Sequence, residues 1–229
     1  TSASRQTFVS GKAALLAGSA LRQAVLRHAN VDAEASLAFD GNSLVLTAPS
    51  QAGMRIDLAQ LMVNDHGYVF MAEETYDPPT SVLDDKGQGI PYAVYGYGAQ
   101  IMELSVDTGT GVVRLDRVTT AHDVGRAINP LLVEGQIEGG VAQGIGMALM
   151  EDYQPGRTEN LHDYLIPTIG DVPVFEHVIV EVADAEGPYG AKGLGEHVLI
   201  PTAPAILNAI RHATGASINH LPATPDKVV

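Results

Sequence analysis

The chain has 229 residues, with 13 Lys and Arg against 27 Asp and Glu, for a formal net charge of −14. That balance opposes nucleic acid and anionic membrane surfaces, since both select clustered cations. With no cysteine, the chain cannot hold a disulfide, a Cys-ligated zinc or an iron–sulfur cluster of its own. Its 45% hydrophobic and 17% charged residues suit a soluble α+β unit, and no apolar run approaches the roughly 18 residues of a membrane span.

In chain order, Ala14, Ala17, Leu21, Ala24 and Val25 mark an amphipathic helix from Gly11 to about Ala29. Ser36 to Phe39 and Ser43 to Thr47 flank Asp40-Gly41-Asn42, which predicts a hairpin. Asp57 to Val63 reads as a short helix, and Asn64 to Pro91, rich in Asp, Gly and Pro, as a loop. Ile101 to Val106 alternates, Asp107-Thr108-Gly109-Thr110-Gly111 turns the chain, and Val112 to Ala121 returns as the partner strand. The turn faintly resembles a calcium loop, but its alternating flanks favour the hairpin. Leu131 to about Met150 carries Ile137, Val141, Ile145 and Leu149 at helical spacing, Asp152 to Leu161 is a polar loop, and Phe175 to Val182 alternates as a strand. Pro201 to Thr214 is a helix with Pro204 in its first turn, an apolar stripe of Ala205, Ile206, Ala209 and Ile210, and Gly215 at its end. No linker is evident, so one domain over 1–229 is expected, with a split near residue 120 as the weaker alternative.

Two glycine-rich segments carry the chemistry. Gly190-Ala191-Lys192-Gly193-Leu194-Gly195-Glu196 places one carboxylate at the end of a loop whose backbone can approach a ligand closely. The apolar run Val198-Leu199-Ile200 after His197 suggests packed, water-poor surroundings that would raise the pKa of Glu196 and suit it to accept protons. The alternative is a structural connection whose Glu merely borders a helix. Upstream, Asn129-Pro130 precedes a helix with Gly135, Gly139, Gly140, Gly144 and Gly146. Each glycine there costs up to about 1 kcal/mol against Ala, a cost usually offset by close approach of a backbone or ligand. Gln136 and Gln143, seven apart, share a face. A tightly packed buried helix is the structural alternative.

The eight histidines show no metal-ligand spacing, so most are expected on the surface or in packing, with His122 and His197 of interest for adjoining the motifs. No Gly-x-Ser-x-Gly elbow is present, and Gly193-Leu194-Gly195 lacks the ending of a phosphate-binding Walker loop.

The ordered pattern Asp123-Val124-Gly125, Asn129-Pro130, Gly135-Gln136, Gly139-Gly140, Gln143-Gly144-Ile145-Gly146, Ala148-Leu149 and Glu151 resembles the molybdenum subunit of the xanthine dehydrogenase/aldehyde oxidase family. Gly190 to Glu196 resembles that family's active-site loop. Thr1 to Thr7 followed by Gly11 is similar to its pterin-contacting turn, and Tyr164 to Thr168, Asp171, Pro173 and Leu221 to Pro225 also match. The resemblance runs from residue 1 to residue 225 and corresponds to the C-terminal part of the usual subunit. It implies an α+β molybdopterin-binding domain with mixed sheets and packed helices, whose complete active site needs a further chain.

For chemistry, the resemblance implies hydroxylation of an electron-poor carbon of an N-heterocycle, purine or nicotinate-like, with water as the oxygen source. Tyr189, beside the loop, is the aromatic best placed to meet such a ring. Aldehyde oxidation, or a non-catalytic cofactor-binding or assembly module, are the alternatives. Glu196 is the implied catalytic base. Ser2, Ala3, Ser4, Arg5, Gln136, Gly139, Gly140, Gln143, Lys192, Gly193 and Gly195 are the implied cofactor contacts, Lys192 meeting a cofactor oxygen or else capping the loop. No protein ligand to molybdenum is expected, because the pterin supplies the sulfurs. The pterin form implied is the cytosine dinucleotide, whose pyrophosphate backbone N–H groups can hold despite the acidic surface. Iron–sulfur and flavin groups are expected on partner chains only, in a cytoplasmic complex comprising a further molybdenum-subunit chain, an iron–sulfur subunit and an FAD subunit.

Overall fold

The computed structural model describes residues 4–48 and 51–229. By their contacts the residues form two compact units, Val9–Pro78, and Pro79–Val229 together with Thr1–Phe8. The boundaries thus differ from the expected single unit, and a cut near residue 120 would pass through a strand (β5 below).

In the Val9–Pro78 unit, α1 (Gly11–Ala29) follows a π-helical turn over Gln6–Ser10. Asn30 ends it in the left-handed region at φ 53°, a conformation Asn tolerates better than most residues. An antiparallel sheet follows in the order β1 (Ser36–Asp40), β2 (Ser43–Ala48), β3 (Gln51–Asp57). Asp40 pairs with Ser43 across Gly41-Asn42, and positive φ at Gly41 alone is what a type II′ turn uses. The helix and hairpin agree with expectation, but the buried face of α1 is Val25, Leu26 and Ala29, while Ala14 and Leu21 are exposed. The short helix expected from Asp57 is a single 3₁₀ turn, Leu58–Gln60, in which the Asp57 carboxylate caps the Ala59 amide. Asp57 itself ends a third strand. That strand escaped the sequence reading because its Gly and charged residues mask any alternation.

The larger unit is built on a mixed sheet in the order β4 (Gly98–Val106), β5 (Val113–Asp123), β6 (Val174–Val180). β4 and β5 are an antiparallel hairpin, closed by the Asp107 carboxylate accepting from the Gly109 and Thr110 amides. β6 lies parallel to β5, so the intervening chain must cross over, and α2 (Pro130–Leu149) occupies the crossover. Asn129 caps α2 through the Leu132 amide at 3.2 Å, with Pro130 in its first turn. α3 (Thr202–Thr214) ends on Gly215 at φ 83°.

Ile137, Val141, Ile145 and Ala148 of α2 join Met102, Val118, Val198, Ile206 and Ile210 in one core. Gly140 and Gly144 explain how close the packing is: an added Cβ would come 2.8 Å from Cβ of Val198 and 2.4 Å from Cβ of Thr202. On β6 the inward residues are Phe175, His177 and Ile179, and the valines of the alternating pattern face outward.

Candidate active site

β5 stops at Asp123, and the chain turns through Val124-Gly125 toward the capped start of α2. The loop after β6 returns to that same strand end. Gly125 bridges to Ala191, the Lys192 amide donates to the Val124 carbonyl at 2.9 Å, and the Arg126 amide to the Gly190 carbonyl at 2.9 Å. Gly125 sits at φ +65°, and a Cβ on it would lie 2.2 Å from the Gly190 oxygen. A side chain there would force the two segments apart.

The third segment is at the start of the chain. Ser4, at φ 54°, accepts the Glu196 amide on its Oγ at 2.8 Å. Its carbonyl oxygen lies where a Cβ on Gly193 would approach to 2.3 Å. The three segments enclose a cavity of about 510 Å³ whose lining includes Ser4, Arg5, Gln136, Lys192, Gly195 and Glu196. Among the described residues lining it, Glu196 is the one carboxylate, while Arg5 and Arg126 are exposed cations.

Of the other implied contacts, Gly139, Gly140, Gln143 and Gly193 are not among the cavity's lining residues. Gly139 and Gln143 continue the exposed face of α2 that bears Gln136, and nothing lies within 4 Å of a Cβ added at Gly139. Gly140 faces the opposite way, into the core. Ser2 and Ala3 lie outside the described residues. Tyr189 is exposed beside the loop.

Two expectations about Glu196 change. The loop does not enter a helix directly, since turns run from Gly195 to Pro201 before α3 begins. Glu196 is exposed rather than set against packed apolar surface. The turn points Glu196 outward to the cavity while Val198 goes into the core at 0% exposure. Of the apolar run only Val198 is buried, since Leu199 is half-buried and Ile200 is 68% exposed, so the run does not enclose the acid.

Lys192 has a protein partner that neither sequence reading foresaw. Its Nζ lies 2.5 Å from Asp123 Oδ2, with both side chains buried. Asp123 also accepts the Gly125 amide at 3.0 Å. Burial alone would raise the pKa of Asp123, but the bonds from Lys192 and Gly125 outweigh it and hold the carboxyl below its ordinary value. Beside this pair, the His122 and His197 rings meet at 5.1 Å between centroids. His122 is fully buried, and burial first, then the neighbouring His197, lowers its pKa from 6.5 to about 4. Burial also lowers that of His197, against hydrogen bonding to the Gly193 backbone and the charge of Asp123. Gln100 completes the network, donating to the Val198 carbonyl at 3.0 Å and accepting from Thr202 at 2.9 Å. Asp123 stood in the motif without a role, and Gln100 gave no local signal, because its partners lie about a hundred residues away.

A loop-built cavity with a single carboxylate, served by backbone amides and glycine contacts, defines a domain made to hold a polar cofactor or substrate. The sequence profile of the molybdopterin cofactor-binding domain matches residues 1–173, and the chain belongs to that family. A putative xanthine dehydrogenase molybdenum-binding subunit of Escherichia coli K12 is 35% identical over 239 residues, covering 99% of this chain and 30% of that protein. The chain therefore spans less than a third of the relative's length. The aldehyde oxidoreductase of Desulfovibrio desulfuricans ATCC 27774 superposes with a TM-score of 0.66 at 40% identity, over 69% of this chain and 18% of that one. Quinoline 2-oxidoreductase of Pseudomonas putida 86 does so with a TM-score of 0.73 at 26% identity, over all of this chain and 30% of that one.

Proposed function

We propose that this chain is the part of a molybdenum-dependent hydroxylase that cradles molybdopterin and supplies the catalytic base, Glu196. The carrying observation is the cavity itself, where Glu196 shares one lining with Gln136 and Ser4. The residues present suit a pterin. Amide and hydroxyl groups of Ser4, Gln6, Asn129 and Gln136 can bond a planar polar ring, and Arg5 and Arg126 offer charge to phosphate. Gly193 packs so closely on Ser4 that a side chain there would displace the Ser4 turn from the cavity. When bound, the molybdenum–pterin group supplies the redox chemistry and carries electrons away.

The remaining work falls to the protein. Gln136 and the Ser4–Arg5 turn orient the pterin, and the open glycine face of α2 toward Gly139 and Gln143 accommodates a nucleotide extension, which we take to be cytosine. Glu196 accepts a proton from the oxygen nucleophile as it attacks an electron-poor substrate carbon. The likeness to a quinoline-oxidising enzyme supports an N-heterocyclic substrate, and the 40% identity to an aldehyde oxidoreductase supports an aldehyde as the second reading. Electrons leave through iron–sulfur and flavin centres on partner subunits, in an enzyme this reading assigns to the cytoplasm. No helix of the described residues is long and apolar enough to cross a membrane.

The test is Glu196→Gln in the assembled enzyme. Turnover should fall by about 10²- to 10⁴-fold, the usual worth of a positioned base, with molybdenum and pterin nucleotide content unchanged. Near-normal turnover removes Glu196 from the mechanism. Cofactor retained by the wild type without turnover of any heterocycle or aldehyde would mean a binding module instead.

A further inference from the structure

We infer that the outer face of the β4–β5–β6 sheet is the docking surface for a further molybdenum-subunit polypeptide, seated on an apolar patch at the strand ends that carry the site loop. The inference rests on the proposed function and names a partner for it.

α2 and α3 cover one face of the sheet, where Met102, Val118, Thr120 and His122 are buried. The residues between these point the other way. Ala99 lies beside Ala121, and Ala121 beside Val178; Ile101 lies beside Thr119. Tyr97 extends the β4 row, its carbonyl accepting the Asp123 amide at 2.8 Å, and Val180 stands opposite Asp123. Ile101 is 66% exposed and Val178 48%, and Tyr97 and Val180 are exposed with them. No described residue covers this face.

That exposure runs against the pattern of the strands. A sheet with one wet face alternates apolar with polar, whereas a parallel strand covered on both faces is apolar on both. β6 follows the second rule. Phe175 and Ile179 face inward with His177, while Val174, Val178 and Val180 face outward, and Glu176 is the one polar residue among the outward ones. β6 is also an edge strand, and an apolar edge is a ready template for another chain.

The patch has a boundary. Toward the Asp107–Gly111 turn the face becomes ionic: Arg117 pairs with both Glu103 and Glu176, and the Thr119 hydroxyl donates to Glu176 at 3.1 Å. The apolar half therefore lies at the opposite end, where Asp123 and Gly125 hold the site loop.

Charge and position select the occupant. A second copy of this chain would bring another −14 to a rim with two carboxylates and one guanidinium, and like charge opposes that pairing. An apolar surface with a basic rim fits instead. This chain corresponds to 30% of the matched molybdenum-binding subunit, so a subunit of that kind holds further polypeptide. Seated on this patch, it would border the cavity it helps to complete.

The chain has no cysteine, so single cysteines report this surface, read by mass spectrometry on peptides of this chain. In the assembled enzyme, Val178→Cys should react with a maleimide about tenfold more slowly than Arg114→Cys at the ionic end, the mark of a surface that opens only rarely. In the full chain produced alone, the two should react at comparable rates. Val178→Lys should lower the yield of assembled enzyme by about tenfold, since it buries an unpaired charge, without changing the melting of the chain alone. A photoreactive benzoylphenylalanine in place of Glu103, on the rim, should cross-link to molybdenum-subunit peptides outside this chain. Equal labelling of the two cysteine variants in the assembled enzyme would overturn the inference. So would a cross-link to a second copy of this chain, or to an iron–sulfur or flavin subunit. Neither readout needs turnover, so an idle Glu196 would sink the proposed function and leave the docking result to be judged separately.

Discussion

Lys192 Nζ and Asp123 Oδ2 meet at 2.5 Å although 69 residues separate them, and they join the two glycine-rich motifs into one structure. Asp123 closes β5 and opens the first motif, and Lys192 sits in the middle of the second. Burying both charges is expensive, and their attraction repays it only while both are present.

Replacing Lys192 by Met should therefore strand a buried carboxylate. The expected loss is about 3–5 kcal/mol in urea unfolding of cofactor-free protein, and Lys192→Met with Asp123→Leu should recover much of it. Unchanged stability of the single variant without cofactor would show that Lys192 serves the ligand rather than the fold.

The glycines of α2 should separate into two classes. Gly140→Ala and Gly144→Ala press a methyl onto Val198 and Thr202, and each should cost about 1–3 kcal/mol as overpacking. Gly139→Ala meets open space and should stabilise cofactor-free protein by up to about 1 kcal/mol. If the exposed face of α2 receives the nucleotide, Gly139→Ala should still lower the pterin nucleotide released per chain. Full retention would exclude Gly139 from the binding surface.

Acid should destabilise this protein earlier than its carboxylates alone would. His122 has a folded pKa of about 4 against an ordinary 6.5, so the unfolded chain binds its proton first. The stability it contributes is complete above about pH 6.5 and lost as pH falls toward 4, on the order of 3 kcal/mol in all. Asp123, held below its ordinary 3.8, adds its own loss only below that window. Unfolding free energies measured between pH 7 and 4 should show the slope, and His122→Leu should flatten it.

Much of this was legible in the residues themselves. The hairpin turns at Gly41 and at Asp107–Gly111, the Asn129-Pro130 start of α2 and the Gly215 stop of α3 are local devices, readable because each acts within a few positions of its own residue. What escaped was relational. β3 has no alternation to betray it, and the buried face of α1 depends on which sheet it meets. The exposure of Glu196 is decided by a turn that sends Val198 inward and leaves the acid at the cavity.

Sequence alone determined the turns, helix caps and glycine spacing, which are written locally, and the ordered motifs they form resemble those of a molybdopterin-binding domain. Tertiary structure decided what those motifs do to one another. Ser4 reaches Glu196 across 192 positions, Lys192 finds Asp123, and His197 lies on His122. Such contacts exist only once sheet pairing and helix packing have brought distant backbone together, and no spacing along the chain encodes them.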